Sequence, residues 1–212
     1  DLQRLGFTED EIVNGGFRVI TTLNYNAQVK ANEAIIKNLN AWGLKNPKNQ
    51  AAVFSFSPID GRILVYAGGK DYSKSQYDRV TQSARPSGSA FKPFIYTAAI
   101  EKGYSPNDMI DDLPFRAGDW TPKNYGNKYR GPIPLYTALM VSSNVCTARL
   151  MEAVGVRAVI QLARVMGITT PIPYDYTISL GSNSVKLFEM TRAYGVFANG
   201  GFKVEPYAIE RV

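Results

Sequence analysis

The chain has 212 residues, 45% of them hydrophobic, with 24 Lys+Arg against 18 Asp+Glu for a formal charge of +6. That size and balance fit one folded domain or most of one, and they exclude a disordered or collagen-like chain. Histidine is absent, which rules out Ser-His-Asp and Cys-His catalysis and any imidazole metal site. The single Cys146 can form neither an intrachain disulfide nor a thiolate metal cluster and reads as a small buried apolar residue; no cofactor is called for. No apolar run reaches the roughly 18–20 residues that span a bilayer. The start at Asp1, with neither an initiator Met nor a signal-peptide pattern, reads as an internal piece of something longer. A pI near 9.3 favours acidic partners only weakly.

After a polar lead ending at Gly15-Gly16, the β-branched run Phe17–Leu23 predicts a strand. Ala31, Ala34, Ile35 and Leu39 recur at spacings of three and four, opposite Lys30, Glu33 and Lys37, and predict an amphipathic helix over Ala27–Leu39. Ala51–Ser57 and Ile63–Tyr66 flank Pro58-Ile59-Asp60-Gly61, whose residues suit a chain reversal, so a β-hairpin is expected. A turn-rich stretch, Gly68–Gly88, leads to a helix from about Ser89 to Lys102. Pro93 is tolerated only in a first turn, which puts Ser89 at the helix tip. Gly103–Gly131 is a long excursion of the kind that borders a site. Helices are then expected at Leu135–Val141, Thr147–Val154 and Val156–Met166. Another, marked by Leu187, Met190, Tyr194 and Phe197, is capped by Ser184 and stopped by Gly200-Gly201, and a strand, Phe202–Val212, follows. Strands, then helices, then a strand is an α+β order.

Two short patterns can carry chemistry. In Ser89-Ala90-Phe91-Lys92, positions i and i+3 of a helix share a face, so the Lys92 amine can reach the Ser89 hydroxyl as its base. The positive end of the helix disfavours a protonated lysine and pushes its pKa down, and the same tip offers backbone N–H groups to a developing oxyanion. Read alone, Ser-x-x-Lys is also an N-cap serine followed by a solvated lysine. Ser142-Ser143-Asn144 falls between two helices, where such residues ordinarily cap backbone groups. As chemistry, Ser142 would relay a proton between Lys92 and a leaving amine, and Asn144 would hold both the lysine and a substrate backbone.

Together, Arg85-Pro86-Ser87-Gly88-Ser89-Ala90-Phe91-Lys92-Pro93 and the following Ser142-Ser143-Asn144 resemble the first two motifs of penicillin-binding proteins. The resemblance is to the class A, bifunctional kind. It extends to Gly15–Leu23, to Trp120-Thr121-Pro122-Lys123-Asn124-Tyr125, and to Ser179-Leu180-Gly181-Ser182 running on to Tyr194–Gly201. It implies an α+β penicillin-binding-protein/serine β-lactamase-like transpeptidase domain, an antiparallel sheet with a helical subdomain. Residues 1–16 would be an interdomain linker, and residues 17–212 the N-terminal and central part of the domain. The family's third motif, K-[ST]-G, does not occur between Asp1 and Val212, so a downstream segment of the same protein is expected to supply it and an upstream one the glycosyltransferase domain.

The activity implied is that of a D,D-transpeptidase. Ser89 attacks the penultimate D-Ala carbonyl of a peptidoglycan stem peptide ending in D-Ala-D-Ala, Lys92 is its base, Ser142 relays the proton and Asn144 orients Lys92 and the peptide amide. β-Lactams would acylate Ser89. The place of action would be the extracytoplasmic face of a bacterial membrane, reached through an anchor outside this chain. A serine β-lactamase or D,D-carboxypeptidase is the related alternative, set back by the Gly15–Leu23 pattern. A non-catalytic binding module, a penicillin-binding-like sensor or scaffold, is the alternative of a different class, and the intact Ser89, Lys92, Ser142 and Asn144 argue against it. The basic, aromatic run Lys123–Arg130 is too short for a nucleic-acid footprint, so no nucleic-acid partner is expected.

Overall fold

The computed structural model describes residues 2–44, 46 and 48–212; of the segment expected to be a linker, Asp1 lies outside them. The chain makes two compact units, one from the residues up to Ser83 together with Lys186–Val212, the other Ala84–Val185. Both mix helix with antiparallel strand pairs, the α+β class expected.

The first unit is organised by a hairpin. Strand β2 (Val53–Phe56) pairs antiparallel with β3 (Ile63–Ala67), joined by the Pro58–Gly61 reversal in which Gly61 takes φ +82°. A bulge between Ser55 and Phe56 sets Val53 opposite Ala67, Phe54 opposite Tyr66 and Phe56 opposite Ile63. Val53 and Ala67 pack with Ile35 and Leu39 of helix α2 (Tyr25–Ala41), whose N-cap is Asn24. Phe54, Phe56 and Ile63 instead cluster with Val80, Leu187, Phe188 and Ala208. Leu187 and Phe188 open helix α7 (Leu187–Ala198), on which Gly195 is required: a Cβ there would stand 2.5 Å from the Phe56 ring.

Several sequence expectations are corrected here. The Phe17–Leu23 strand shrinks to β1 (Ile20–Thr21), and Phe202–Val212 to β8 (Ile209–Arg211); these two short runs pair with each other, because a strand exists only as far as its partner does. Helix α7 starts without a side-chain cap, and Ser184 lies instead on strand β7 (Ser184–Lys186). The polar lead contains a 3₁₀ turn (Leu2–Leu5) and a helix, α1 (Glu9–Asn14), opened by a Thr8/Glu11 capping box that the sequence reading passed over.

The second unit is centred on α3 (Lys92–Glu101), which buries Lys92, Phe94, Ile95, Tyr96, Ala98 and Ala99 and so is enclosed on more than one side. It touches α4 (Leu135–Met140), α5 (Asn144–Val154) and α6 (Val156–Val165). The long excursion is structured. Strand β5 (Met109–Asp112) pairs antiparallel with β6 (Gly131–Pro134), Asp112 facing Gly131. Strand β4 (Ala84–Pro86) pairs with β7 and leads into the serine segment. No helix among the described residues is long and apolar enough to cross a membrane.

Thr22 ties the first unit together. It is buried, and its hydroxyl lies 2.8 Å from Ile63 O and 3.1 Å from Tyr207 O. Thr22→Val keeps the shape but removes the donor, and is expected to lower the unfolding free energy by about 1–3 kcal/mol, read from urea denaturation at unchanged m-value.

Candidate active site

The serine segment bends in two stages. After β4, Gly88–Phe91 forms a 3₁₀ turn carrying the exposed Ser89, and the α-helix proper begins at Lys92, with Pro93 in its first turn where its missing N–H leaves no bond unmade. Ser89 therefore stands just ahead of the helix that the sequence placed it on. Two of the backbone donors at this tip are already engaged, Ser87 N with Asn183 O at 3.2 Å and Gly88 N with Gly181 O at 3.0 Å. The Gly88–Gly181 approach is tight enough that a Cβ on Gly181, at φ +72°, would stand 1.7 Å from Gly88 O. This explains the glycine in Ser179-Leu180-Gly181-Ser182, which supports the serine turn from beneath.

Lys92 is 1% exposed, and its ammonium has three acceptors: Ser142 O at 2.6 Å, Ser142 Oγ at 2.9 Å and Asn144 Oδ1 at 2.8 Å. An ammonium has three hydrogens to give, so this set satisfies it. Three of the four expected site residues thus meet directly. The Lys92 ammonium makes no hydrogen bond to the Ser89 hydroxyl; the two residues are linked only through the Lys92 backbone N–H, which donates to Ser89 O. The lysine pKa falls to about 8, and the cause is burial, which penalises the charged form, where the sequence argument invoked the helix end.

The acceptors are presented by the turn between α4 and α5. Ser142 is left-handed at φ +54°, a conformation that costs a non-glycine residue on the order of 1 kcal/mol and persists only where its surroundings impose it. Ser143, not Ser142, is the cap: its hydroxyl accepts from Cys146 N at 3.1 Å and starts α5 at Asn144, three residues earlier than expected. Asn144 Nδ2 donates to Lys123 O at 2.9 Å, which leaves Oδ1 turned to Lys92. Cys146 is fully buried, its thiol pushed up to about 11 chiefly by burial, so it remains protonated at neutral pH. Among the described residues no cluster of His, Cys, Asp or Glu suits a metal ion.

Sequence reasoning did not single out the residues behind this turn. Asp112 is 0% exposed, with Asn124, Ser143 and Arg130 around it. Asn124 lies in the aromatic stretch flagged above, but nothing marked its amide as a structural tie. Asp112 gave no signal at all, being one of two adjacent acids in a turn-rich run.

Comparison with known proteins accords with this geometry. The family model for the penicillin binding protein transpeptidase domain matches residues 51–212. Penicillin-binding protein 1A of Rickettsia conorii is 35% identical over 99% of this chain, and that of Escherichia coli 37% identical over 81%. The chain spans 27% and 21% of the lengths of those two relatives. Among solved structures, penicillin-binding protein 1A from Haemophilus influenzae matches with a TM-score of 0.73 at 35% identity, over 76% of this chain and 25% of that one. The PonA1 protein from Mycobacterium tuberculosis in complex with penicillin V matches with a TM-score of 0.85 at 25% identity, over 98% and 58%. The chain belongs to the penicillin-binding protein transpeptidase family. Its likeness to the 1A proteins places it with the class A members.

Two predictions follow from the packing. Gly181→Ala must displace Gly88 and is expected to lower the melting temperature by several degrees, measured by circular dichroism on the full-length protein. Lys92 makes stability pH-dependent. Above about 8 the unfolded chain keeps a Lys92 proton that the folded one has lost, so this contribution to stability rises with pH, until above about 9 the Cys146 thiol, held up to about 11 in the folded chain, begins to oppose it. Lys92→Met should abolish the rise in denaturation curves at pH 7–9.

Proposed function

We propose that this chain forms the serine-bearing part of a D,D-transpeptidase that cross-links peptidoglycan stem peptides and is acylated by β-lactams. The observation that carries the reading is the buried Lys92 ammonium held on Ser142 and Asn144, three residues past an exposed serine. Ser89 Oγ attacks the carbonyl of the penultimate D-Ala, and its proton passes to neutral Lys92. Burial makes the neutral form accessible, since a lysine near pKa 8 is unprotonated in a useful fraction at physiological pH, whereas one at 10.5 is not. The C–N bond to the terminal D-Ala breaks as that amine takes a proton through Ser142 Oγ, 2.9 Å from Lys92 Nζ. The acyl group then passes from Ser89 to the amine of a second stem peptide, which restores the serine.

Asn144 orients the lysine through Oδ1, and the second hydrogen of its amide serves the substrate backbone. Recognition of the substrate carboxylate is assigned to a K-[ST]-G strand, which these 212 residues do not contain, from elsewhere in the same protein. A β-lactam offers the same reactive amide carbonyl beside a carboxylate, and penicillin V bound to the PonA1 relative supports that ligand class here. By the same likeness, residues 17–212 are part of the transpeptidase domain and residues 1–16 an interdomain linker. The domain would work at the outer face of the bacterial membrane, with a glycosyltransferase domain upstream.

Intact-mass spectrometry of the full-length protein with penicillin G is expected to show one covalent adduct that Ser89→Ala abolishes. The acylation rate should climb with pH through about 8 as Lys92 loses its proton. A folded protein with no adduct, or an adduct that survives Ser89→Ala, would reject the assignment and favour a scaffold.

A further inference from the structure

The turn that presents Ser142 and Asn144 to Lys92 is held from behind by a buried polar network that the proposed chemistry does not use. Asn124 Oδ1 accepts from Asn144 N at 2.8 Å and Val145 N at 3.2 Å. These are the N–H groups that open α5 and would ordinarily go to solvent. Asn124 Nδ2 donates to Asp112 Oδ1 at 2.6 Å and to Lys128 O at 2.9 Å, so the amide has one orientation only: reversed, it would set donor against donor at α5 and acceptor against acceptor at Asp112. Asp112 Oδ1 also accepts from Ser143 Oγ at 2.7 Å, while Oδ2 accepts from Arg130 N at 3.1 Å and Arg130 NH1 at 3.3 Å. Burial opposes the carboxyl's charge, but the hydrogen bonds from Ser143, Asn124 and Arg130 outweigh it and keep its pKa below the usual Asp value.

This arrangement exceeds what a helix cap needs. Ser143 alone caps α5 through Cys146 N. The additional carboxylate and amide fix Asn144 at the backbone, Lys123 O fixes its Nδ2, and its Oδ1 is thereby delivered to Lys92. We propose that Asp112 and Asn124 are positioning residues for the acyl-transfer site: through Asn124 they lock the Ser142–Asn144 turn in the register that holds Lys92. This rests on the function proposed above. Neither residue touches the reacting atoms, and their effect passes through Ser143 and Asn144.

The test uses the full-length protein with wild type, Asn124→Ala, the milder Asn124→Ser, Asp112→Asn and the Ser89→Ala control. Labelling by a fluorescent penicillin gives the dissociation constant and the acylation rate constant separately, on samples shown folded by circular dichroism. Hydrogen exchange of the Asn144 and Val145 amides is followed in parallel. A displacement of about 1 Å at a reacting constellation slows chemistry on the order of 100-fold. The expected result is therefore a large fall in the acylation rate constant for Asn124→Ala and Asp112→Asn, a smaller one for Asn124→Ser, little change in penicillin affinity, and faster exchange of both amides. Acylation within about twofold of wild type in any folded variant whose amides exchange freely would overturn the proposal, because the turn would then be loosened without consequence. So would a fall that only tracks the unfolded fraction. Wild-type protein that takes no label rejects the transpeptidase reading itself, an outcome distinct from equal labelling of wild type and variants.

Discussion

The site depends on one interaction, the enclosure of a lysine ammonium in a nearly dry place. Burying an unpaired ammonium is prohibitively costly, so the fold must bring acceptors to it, and it brings a carbonyl, a hydroxyl and an amide oxygen, all neutral. That choice of acceptors matters chemically. A carboxylate partner would hold the proton on the lysine, whereas neutral acceptors satisfy the hydrogens without a full opposing charge, and burial then lowers the pKa to about 8.

Much of the second unit can be understood as support for those acceptors. Ser142 takes a left-handed backbone because α4 ends and α5 begins around it, and Lys92 bonds the very carbonyl that this conformation exposes. Ser143 starts α5, and Asn124 and Asp112 seal the donors beneath it. On the serine side, Gly181 packs against Gly88 without a side chain between them. Ser143 apart, these supports come from residues distant in sequence, which is how strain at such a turn is maintained.

The first unit follows simpler rules. Its hairpin turns Val53 and Ala67 toward α2, and Phe54, Phe56 and Ile63 toward Leu187 and Phe188, with a bulge between Ser55 and Phe56 that brings Phe56 opposite Ile63. Gly195 admits the Phe56 ring into α7, so the pattern Tyr194-Gly195-Val196 is a packing requirement.

Local chemistry settled a good deal in advance. Proline and Asp-Gly define the hairpin, the three-and-four spacing of Ile35 and Leu39 defines α2, and Pro93 fixes where α3 can start, because each of these acts on its immediate neighbours. Motif order brought out Ser89, Lys92, Ser142 and Asn144, and the absence of histidine excluded the histidine-based triads. Strand lengths, by contrast, were overread at Phe17–Leu23 and Phe202–Val212, since a strand ends where its partner ends and the partner is far away in sequence. The cause of the lowered lysine pKa, the handedness of Ser142 and the tie from Asp112 through Asn124 to Asn144 belong to tertiary structure alone. Burial and hydrogen-bond partnership are properties of how distant segments meet, and no local pattern encodes them.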